Sequence, residues 1–193
     1  MQSKNVLSAD NQQERPRLNQ WYITGFVDGE GSFHIALYRD ENMKTKLKVI
    51  PEFHISQNAC SIQVLERIQK YFECGNIKEN HRQRKTDNTY VFVVRNRQDL
   101  LEKIIPFFER YKLQTSKAKD FEYFSSIVKM MNEGKHQTKS GIKEIISLAY
   151  QMNAKGKRRK TKQTDLIKIA EPSETIRKTP NSPPEADKKT GKI

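Results

Sequence analysis

Twice in this chain, a segment with a helical apolar period is followed by two segments typical of β-strands, of which the first pair alternates between apolar and polar residues, and few folds can satisfy that order. The first copy runs from Trp21 to Gln57 and the second from Ser61 to Arg95. Alternation with a period of two residues is typical of strands that bury one face, and neighbouring hairpins can join into one antiparallel sheet. We therefore predict an α+β fold with an αββαββα core. Its four-stranded antiparallel sheet would carry helices on one face and leave the other face open.

The rest of the chain consists of three further helical stretches and two polar ends. The helical stretches are "QDLLEKIIPFFERY", "SKAKDFEYFSSIVKMMN" and "KSGIKEIISLAYQMN", and Pro106 is expected to interrupt the first. We expect residues 1–18 to form a flexible N-terminal segment and residues 19–153 to form one domain. Residues 154–193 are rich in Lys, Pro, Ser and Thr, a composition typical of a disordered basic tail.

The charge of the chain indicates the class of its partner. The formal net charge is +13 and the isoelectric point is near 9.7, which favours nucleic acid ahead of an acidic membrane surface. Residues 155–193 hold 12 Lys or Arg against 5 Asp or Glu, so more than half of the excess lies in the tail. A solubilising role and non-specific phosphate binding are equally compatible with that tail.

Several protein classes are excluded by what the sequence lacks. The 2 cysteines form no CxxC pair, so neither a disulfide framework nor a zinc site is indicated. The first 20 residues have no apolar core of the kind that a signal peptide needs, and no apolar run approaches the roughly 18 residues of a membrane span. We expect a soluble intracellular protein without a membrane partner.

The open face of the predicted sheet carries polar and mostly basic side chains. Such a face can lie along the major groove, because strands and β-ribbons can present side chains to base edges. An ordinary solvated sheet face is compatible with the same pattern. The candidate DNA-binding residues are Ser32, His34, Tyr38, Lys48, Glu52, His54, Lys78, Asn80, Arg82 and Arg84.

The end of the first helix carries acids where folding alone does not favour them. Asp28 and Glu30 face the negative end of the helix macrodipole, which costs about 0.3–1 kcal/mol each. Gly25 and Gly29 lie four residues apart on one side of that helix, which favours close contact with a second helix. Paired helices would bring carboxylates together, and hard divalent cations such as Mg²⁺ stabilise such clusters. Trp21 is expected in the core.

The segment "ITGFVDGEGSF", Ile23 to Phe33, resembles the motif of the LAGLIDADG homing endonuclease family. The resemblance continues through "FHISQN", "VLERIQKYF", "GNI", "IIPFFERY" and "SKAKDF" and covers about Leu18 to Gln151. Only one copy of the motif is present, so the resemblance implies the single-motif, homodimeric type. Two sheets would then form a saddle over double-stranded DNA. The implied dimer interface comprises Gly25, Phe26, Asp28 and Gly29.

The resemblance also implies roles for individual residues. Glu30 matches the acid that binds the catalytic divalent metal, Mg²⁺ or Mn²⁺, with the carbonyl of Gly31 as a further ligand. Gln57 matches a polar residue that positions water near the metal. Lys117 matches a basic residue near the scissile phosphate, with Lys119 as a competitor for that role. Ser61 stands where some relatives have a second basic residue, which departs from the family pattern.

The function that the resemblance implies is site-specific cleavage of DNA. Metal ions would activate water, each subunit would cut one strand across the minor groove, and the product would carry short 3′ extensions. A long, pseudo-palindromic target follows from the dimer symmetry. The protein would be intron-encoded and would promote intron mobility, in a chloroplast, a mitochondrion or a bacterial cytoplasm. A non-cleaving maturase that assists splicing by binding intron RNA, and a DNA-binding regulator, remain alternatives.

Overall fold

The computed structural model describes residues 18–80, 88–155 and 159–170. None of the helices in these ranges is long and apolar enough to cross a membrane. The helices and strands are, in chain order, α1 Gln20–Glu30, β1 Gly31–Arg39, β2 Leu47–Asn58, α2 Ile62–Phe72, β3 Asn76–Glu79, β4 Thr89–Val94, α3 Arg97–Asp99, a π-helical stretch Leu100–Ile104, α4 Ile105–Arg110, α5 Lys117–Asn132, α6 Lys139–Lys155 and α7 Gln163–Ala170.

The two hairpins form one four-stranded antiparallel sheet with the strand order β1-β2-β4-β3. Phe33 of β1 lies opposite Phe53 of β2, and Phe53 lies opposite Val94 of β4. This register places every odd-numbered apolar residue of β1 on the face covered by helices. The prediction of an α+β fold with an antiparallel sheet is confirmed.

The core lies between the inner face of this sheet and the helices. Phe33, Phe53, Phe92, Phe108 and Phe124 are among the largest fully buried side chains. The ring of Phe33 lies 5.2 Å from that of Phe53 and 5.3 Å from that of Phe124, so α5 packs directly on β1. Because these contacts fix β1 against α5, they also fix the end of α1, which continues directly into β1.

The expected interruption at Pro106 is wrong. The chain remains helical from Arg97 to Arg110 and adopts π geometry between Leu100 and Ile104, immediately before α4. Proline lacks an N–H and crowds the preceding turn of an α-helix. A wider π turn at this point accommodates the ring without ending the helix.

The prediction of disorder from residue 154 onward is wrong for residues 159–170. α6 continues to Lys155, and α7 buries Leu166 and Ala170. The basic composition of the whole tail concealed this short amphipathic stretch, because its apolar residues are few in 40. At the other end of the predicted domain, Leu18 is buried, while residues 1–17 lie outside the described ranges.

Candidate functional site

The outward side of α1 is apolar and open. An added Cβ at Gly25 or Gly29 would meet no atom of the described residues within 4 Å. Trp21 is 60% exposed and Tyr22 is 46% exposed, and the ring of Tyr22 stacks on that of Phe26 at 6.0 Å. The expectation that Trp21 lies in the core is wrong. One monomer therefore leaves a flat apolar strip uncovered beside the two glycines.

Asp28 ties the end of α1 to the segment that leads into α5. Its carboxylate accepts hydrogen bonds from Gln114 N at 2.7 Å, Thr115 N at 3.2 Å and Thr115 Oγ1 at 2.8 Å. Burial alone would raise the pKa of Asp28, but these hydrogen bonds and the charge of Lys117 hold it below its usual value. The carboxylate is therefore ionised and structural.

Lys117 makes the reverse connection from α5 to α1. Its Nζ donates to the carbonyl oxygens of Val27 at 3.1 Å, Asp28 at 2.8 Å and Gly29 at 2.8 Å. A lysine ammonium has three donors. All of them are therefore directed to the C-terminal carbonyls of α1. We call the hydrogen bonds of Asp28 and Lys117 together the α1–α5 clasp.

The clasp compensates the unfavourable acids at the end of α1. A positive group near a helix C-terminus is favourable by about 0.3–1 kcal/mol, which is similar in size to the cost of each acid. Burial lowers the pKa of Lys117, and the negative charges of Asp28, Glu30 and Asp120 oppose that lowering. Lys119, the alternative candidate, is exposed and lies 6.0 Å from the centroid of the Tyr123 ring.

Glu30 lies at the last residue of α1 with an exposed side chain. The next residue, Gly31, donates its N–H to Val27 O, and a Cβ there would lie 2.5 Å from Val27 Cγ1 and 2.7 Å from Val27 O. Only glycine permits this close turn from helix to strand. Since Gly31 pairs with Ile55, Gln57 lies at the same end of the sheet as Glu30, where its Oε1 accepts from Asn58 N at 2.8 Å.

A single chain does not assemble a complete metal site in the described ranges. No group of three or more His, Cys, Asp or Glu residues there is placed to hold an ion. The carboxylate of Glu30 and the carbonyl of Gly31 are oxygen donors of the type that Mg²⁺ prefers. Further ligands would have to come from a second copy of the chain, from a DNA phosphate or from water.

The register brings the predicted DNA-binding residues of β1 and β2 onto one outward face. Ser32 lies opposite His54, His34 opposite Glu52, and Tyr38 opposite Lys48. Tyr38, Lys48 and Lys78 are exposed, and Ser32, His34, His54 and Asn80 are half-buried. Arg82 and Arg84 lie outside the described ranges.

Glu52 is less accessible than expected on that face. It is only 7% exposed, its Oε2 lies 3.1 Å from His54 Nε2, and its Oε1 pairs with Arg95 Nε. The close approach of the His54 imidazole lowers the pKa of Glu52, burial opposes that lowering, and the charge of Arg95 adds to it. Sequence reasoning missed Arg95, although it directly follows β4 and continues the alternation of Val91 and Val93, which would have placed it there.

The burial of His34 shows that another part of the chain reaches the outward face. Burial lowers the pKa of His34, and the charge of Arg159 lowers it further against the opposing effect of Glu52. Arg159 falls in the segment whose composition predicts disorder, and no sequence pattern indicates that it lies beside β1.

Comparisons with known proteins agree with this geometry. A family model described as "LAGLIDADG endonuclease" matches residues 23–128. The "Probable intron-encoded endonuclease 2" of Neurospora crassa is 38% identical over 138 residues, which are 70% of this chain and 29% of that protein. The "DNA endonuclease I-CeuI" of Chlamydomonas moewusii is 32% identical over 119 residues, which are 60% of this chain and 53% of that protein. The chain thus spans about a third to a half of these relatives.

Solved structures extend the likeness over most of the described fold. The homing endonuclease I-TnaI is 37% identical with a TM-score of 0.68, and the match covers 80% of this chain and 97% of that chain. The archaeal intron-encoded homing endonuclease I-Vdi141I, solved with DNA, is 29% identical with a TM-score of 0.71. That match covers 78% of this chain and 93% of the other. The chain therefore belongs to the LAGLIDADG endonuclease family.

Proposed function

We propose that this protein is a site-specific homing endonuclease that makes a double-strand break in a long pseudo-palindromic DNA target. The observation that carries the proposal is the exposed Glu30 at the end of a helix whose outward side is apolar and open at Gly25 and Gly29. Neither a solvated helix nor a purely structural one explains that combination. The relatives, one named as a probable intron-encoded endonuclease and the other as a DNA endonuclease, support the same activity.

The homodimer is part of the proposal, because a second copy of the chain would bury the exposed apolar strip of α1. Tyr22, Gly25, Phe26 and Gly29 repeat at the spacing of one helix face, and glycines allow two backbones to approach closely. A two-fold axis along this strip brings the Glu30 residues of two copies together. Asp28 lies beside the strip, but its carboxylate is already held within its own chain by Gln114 and Thr115.

In this arrangement Glu30 and the carbonyl of Gly31 would hold a divalent cation, Mg²⁺ or Mn²⁺, together with the partner copy and the DNA. The cation would supply an activated water and would neutralise charge on the leaving oxygen. Gln57, at the same end of the sheet, would orient water near Glu30. Lys117 would act as a positioning residue, because its three donors hold the carbonyls that precede Glu30.

The outward sheet face would read the DNA. Tyr38, Lys48 and Lys78 are exposed there and can reach base edges or phosphates in the major groove. Glu52 would act differently: its ion pairs with His54 and Arg95 would orient those two side chains toward the DNA. An intron-encoded origin, a role in intron mobility and an organellar or bacterial location are the corresponding proposals for its biology.

The test is incubation of the purified protein with a randomised duplex library, in Mg²⁺ and separately in EDTA, followed by sequencing of cut ends. We expect metal-dependent cuts at one pseudo-palindromic site with 3′ extensions. Glu30→Gln should abolish cleavage while DNA binding in Ca²⁺ persists, and Glu66→Gln, on the exposed side of α2, is the matched control. Binding without cutting in every metal would instead favour the maturase or regulator, with intron RNA as the next ligand.

A further inference from the structure

The segment Arg159–Ala170, which we call the C-terminal strap, is anchored at two places. The Nη2 of Arg159 donates to Ala149 O at 3.0 Å, and its guanidinium lies 5.0 Å from the centroid of the Tyr150 ring. The hydroxyl of Tyr150 donates to Thr161 O at 2.5 Å. Leu166 and Ala170 of α7 are buried. The strap is therefore a docked element of the fold.

The docked strap lies beside the outward face of β1. Residues 159–161 and Leu166 line one cleft of about 640 Å³ together with Ser32, His34, Ala36 and Tyr38. Ala36 is only 5% exposed, although it alternates with the inward residues of an edge strand whose outward face was expected to be open. The strap thus forms a wall along one side of the sheet face.

The charge of the strap decides what this wall can do. Lys160, Lys162 and Lys168 are exposed, and Asp165 is the one acid among residues 159–170. Arg159 is turned inward to Ala149 and Tyr150, so it serves as an anchor. A strap that blocked this face from DNA would be expected to carry acidic side chains, which would occupy the basic face in place of DNA phosphates. This strap has the opposite sign and would attract phosphates to the rim of the sheet.

We propose that the strap is a second DNA-binding element, in which Lys160, Lys162 and Lys168 contact phosphates that flank the bases facing β1. The inference rests on the proposed function only in requiring DNA as the partner, and it does not require cleavage. The strap lies outside residues 23–128, the range of the family match. Its contribution to the affinity for DNA would not depend on the DNA sequence.

The test replaces the three lysines together, as Lys160→Gln, Lys162→Gln and Lys168→Gln. Each phosphate contact that is lost should reduce the slope of log K against log salt by about 0.9. In the proposed homodimer each lysine occurs twice, so we expect the steepness of the slope on a mixed-sequence duplex in Ca²⁺ to fall by about 5, with sequence preference unchanged. The matched control is Lys70→Gln with Lys129→Gln, exposed lysines of α2 and α5, which should leave the slope as in the wild type.

A second variant tests whether docking matters. Tyr150→Phe removes the hydroxyl that holds Thr161 and should weaken DNA binding, because the lysines would be less fixed. An unchanged slope in the triple variant would overturn the proposal. Tighter DNA binding in Tyr150→Phe would also overturn it and would indicate that the strap blocks DNA. A wild-type protein that binds no DNA would overturn the proposed function and the strap together. One that binds without cutting, with the expected slope change, would overturn cleavage alone.

Discussion

The clasp predicts that one lysine, Lys117, contributes measurably to the free energy of unfolding. Lys117→Met keeps the length and the apolar stem of the side chain and removes the ammonium that binds three carbonyls of α1. A hydrogen bond to a charged group contributes about 1.5–3 kcal/mol. The three bonds share one ammonium, and burial opposes its charge, as the lowered pKa of Lys117 shows. Once the ammonium is removed, the three carbonyls can also accept hydrogen bonds from water, which reduces the loss of stability.

We therefore expect Lys117→Met to lower the free energy of unfolding by about 2 kcal/mol, well below the sum of three separate bonds. For a chain of this size the corresponding fall in Tm is about 4–8 °C. Urea denaturation followed by circular dichroism measures the first quantity, and differential scanning calorimetry measures the second. Lys119→Met is the matched control and should change the stability by less than about 0.5 kcal/mol, because Lys119 is exposed.

Cleavage kinetics separate positioning from direct contact with the phosphate. If Lys117 acts through α1, its loss displaces Glu30 and weakens the metal site, so raised Mg²⁺ should restore part of the rate. If Lys117 contacts the reacting phosphate, kcat should fall at every Mg²⁺ concentration while the protein stays as stable as the wild type. Unchanged stability in Lys117→Met would refute the clasp as a structural device.

Three further predictions concern the same helix end. Asp28→Asn should lower the free energy of unfolding by about 1–2 kcal/mol at neutral pH. Because the pKa of Asp28 is lowered in the folded state, the variant should be less stable by the full amount above about pH 4, and the two proteins should become equally stable as the pH falls through that folded pKa. Denaturation measured between pH 7 and 2 follows this change. Gly31→Ala should lower the free energy of unfolding by about 1–3 kcal/mol, because its Cβ would overlap Val27. Ser32→Ala is the control. Gly134→Ala is unsuitable for that purpose, because Gly134 has a positive φ that disfavours alanine. Gly25→Leu should shift the protein toward monomer in sedimentation, and an unchanged dimer would contradict packing at this glycine.

The parts of the fold that the sequence predicted are those set by local periodicity. Phe33 and Phe53 alternate with polar neighbours, and Phe92 lies in a run of strong β-formers, so their strands could be placed without coordinates. The start of α1 is also set locally, since Asn19 Oδ1 accepts a hydrogen bond from Trp21 N at 2.8 Å. The outward position of β1 residues followed from the same alternation.

The parts that the sequence did not predict depend on contacts between distant segments. Lys117 and Asp28 are 89 residues apart, and no spacing rule indicates that one caps the helix of the other. Glu52 pairs with Arg95, which lies 43 residues away along the chain, just after β4. The strap was missed because Leu166 and Ala170 are few among many lysines, and only their packing shows that the segment is ordered.

The sequence of α1 contains two conflicts between the stability of a single chain and the proposed function. An acid at a helix C-terminus is unfavourable, yet metal binding in the proposed site requires Glu30 there. A glycine-lined apolar strip exposes surface to water, yet close helix pairing requires Gly25 and Gly29. The clasp relieves the first conflict within the chain by placing the Lys117 ammonium on the carbonyls that precede Glu30. The second conflict has no such internal solution among the described residues. We therefore expect stability to change together with the proposed dimerisation and cleavage when α1 is altered.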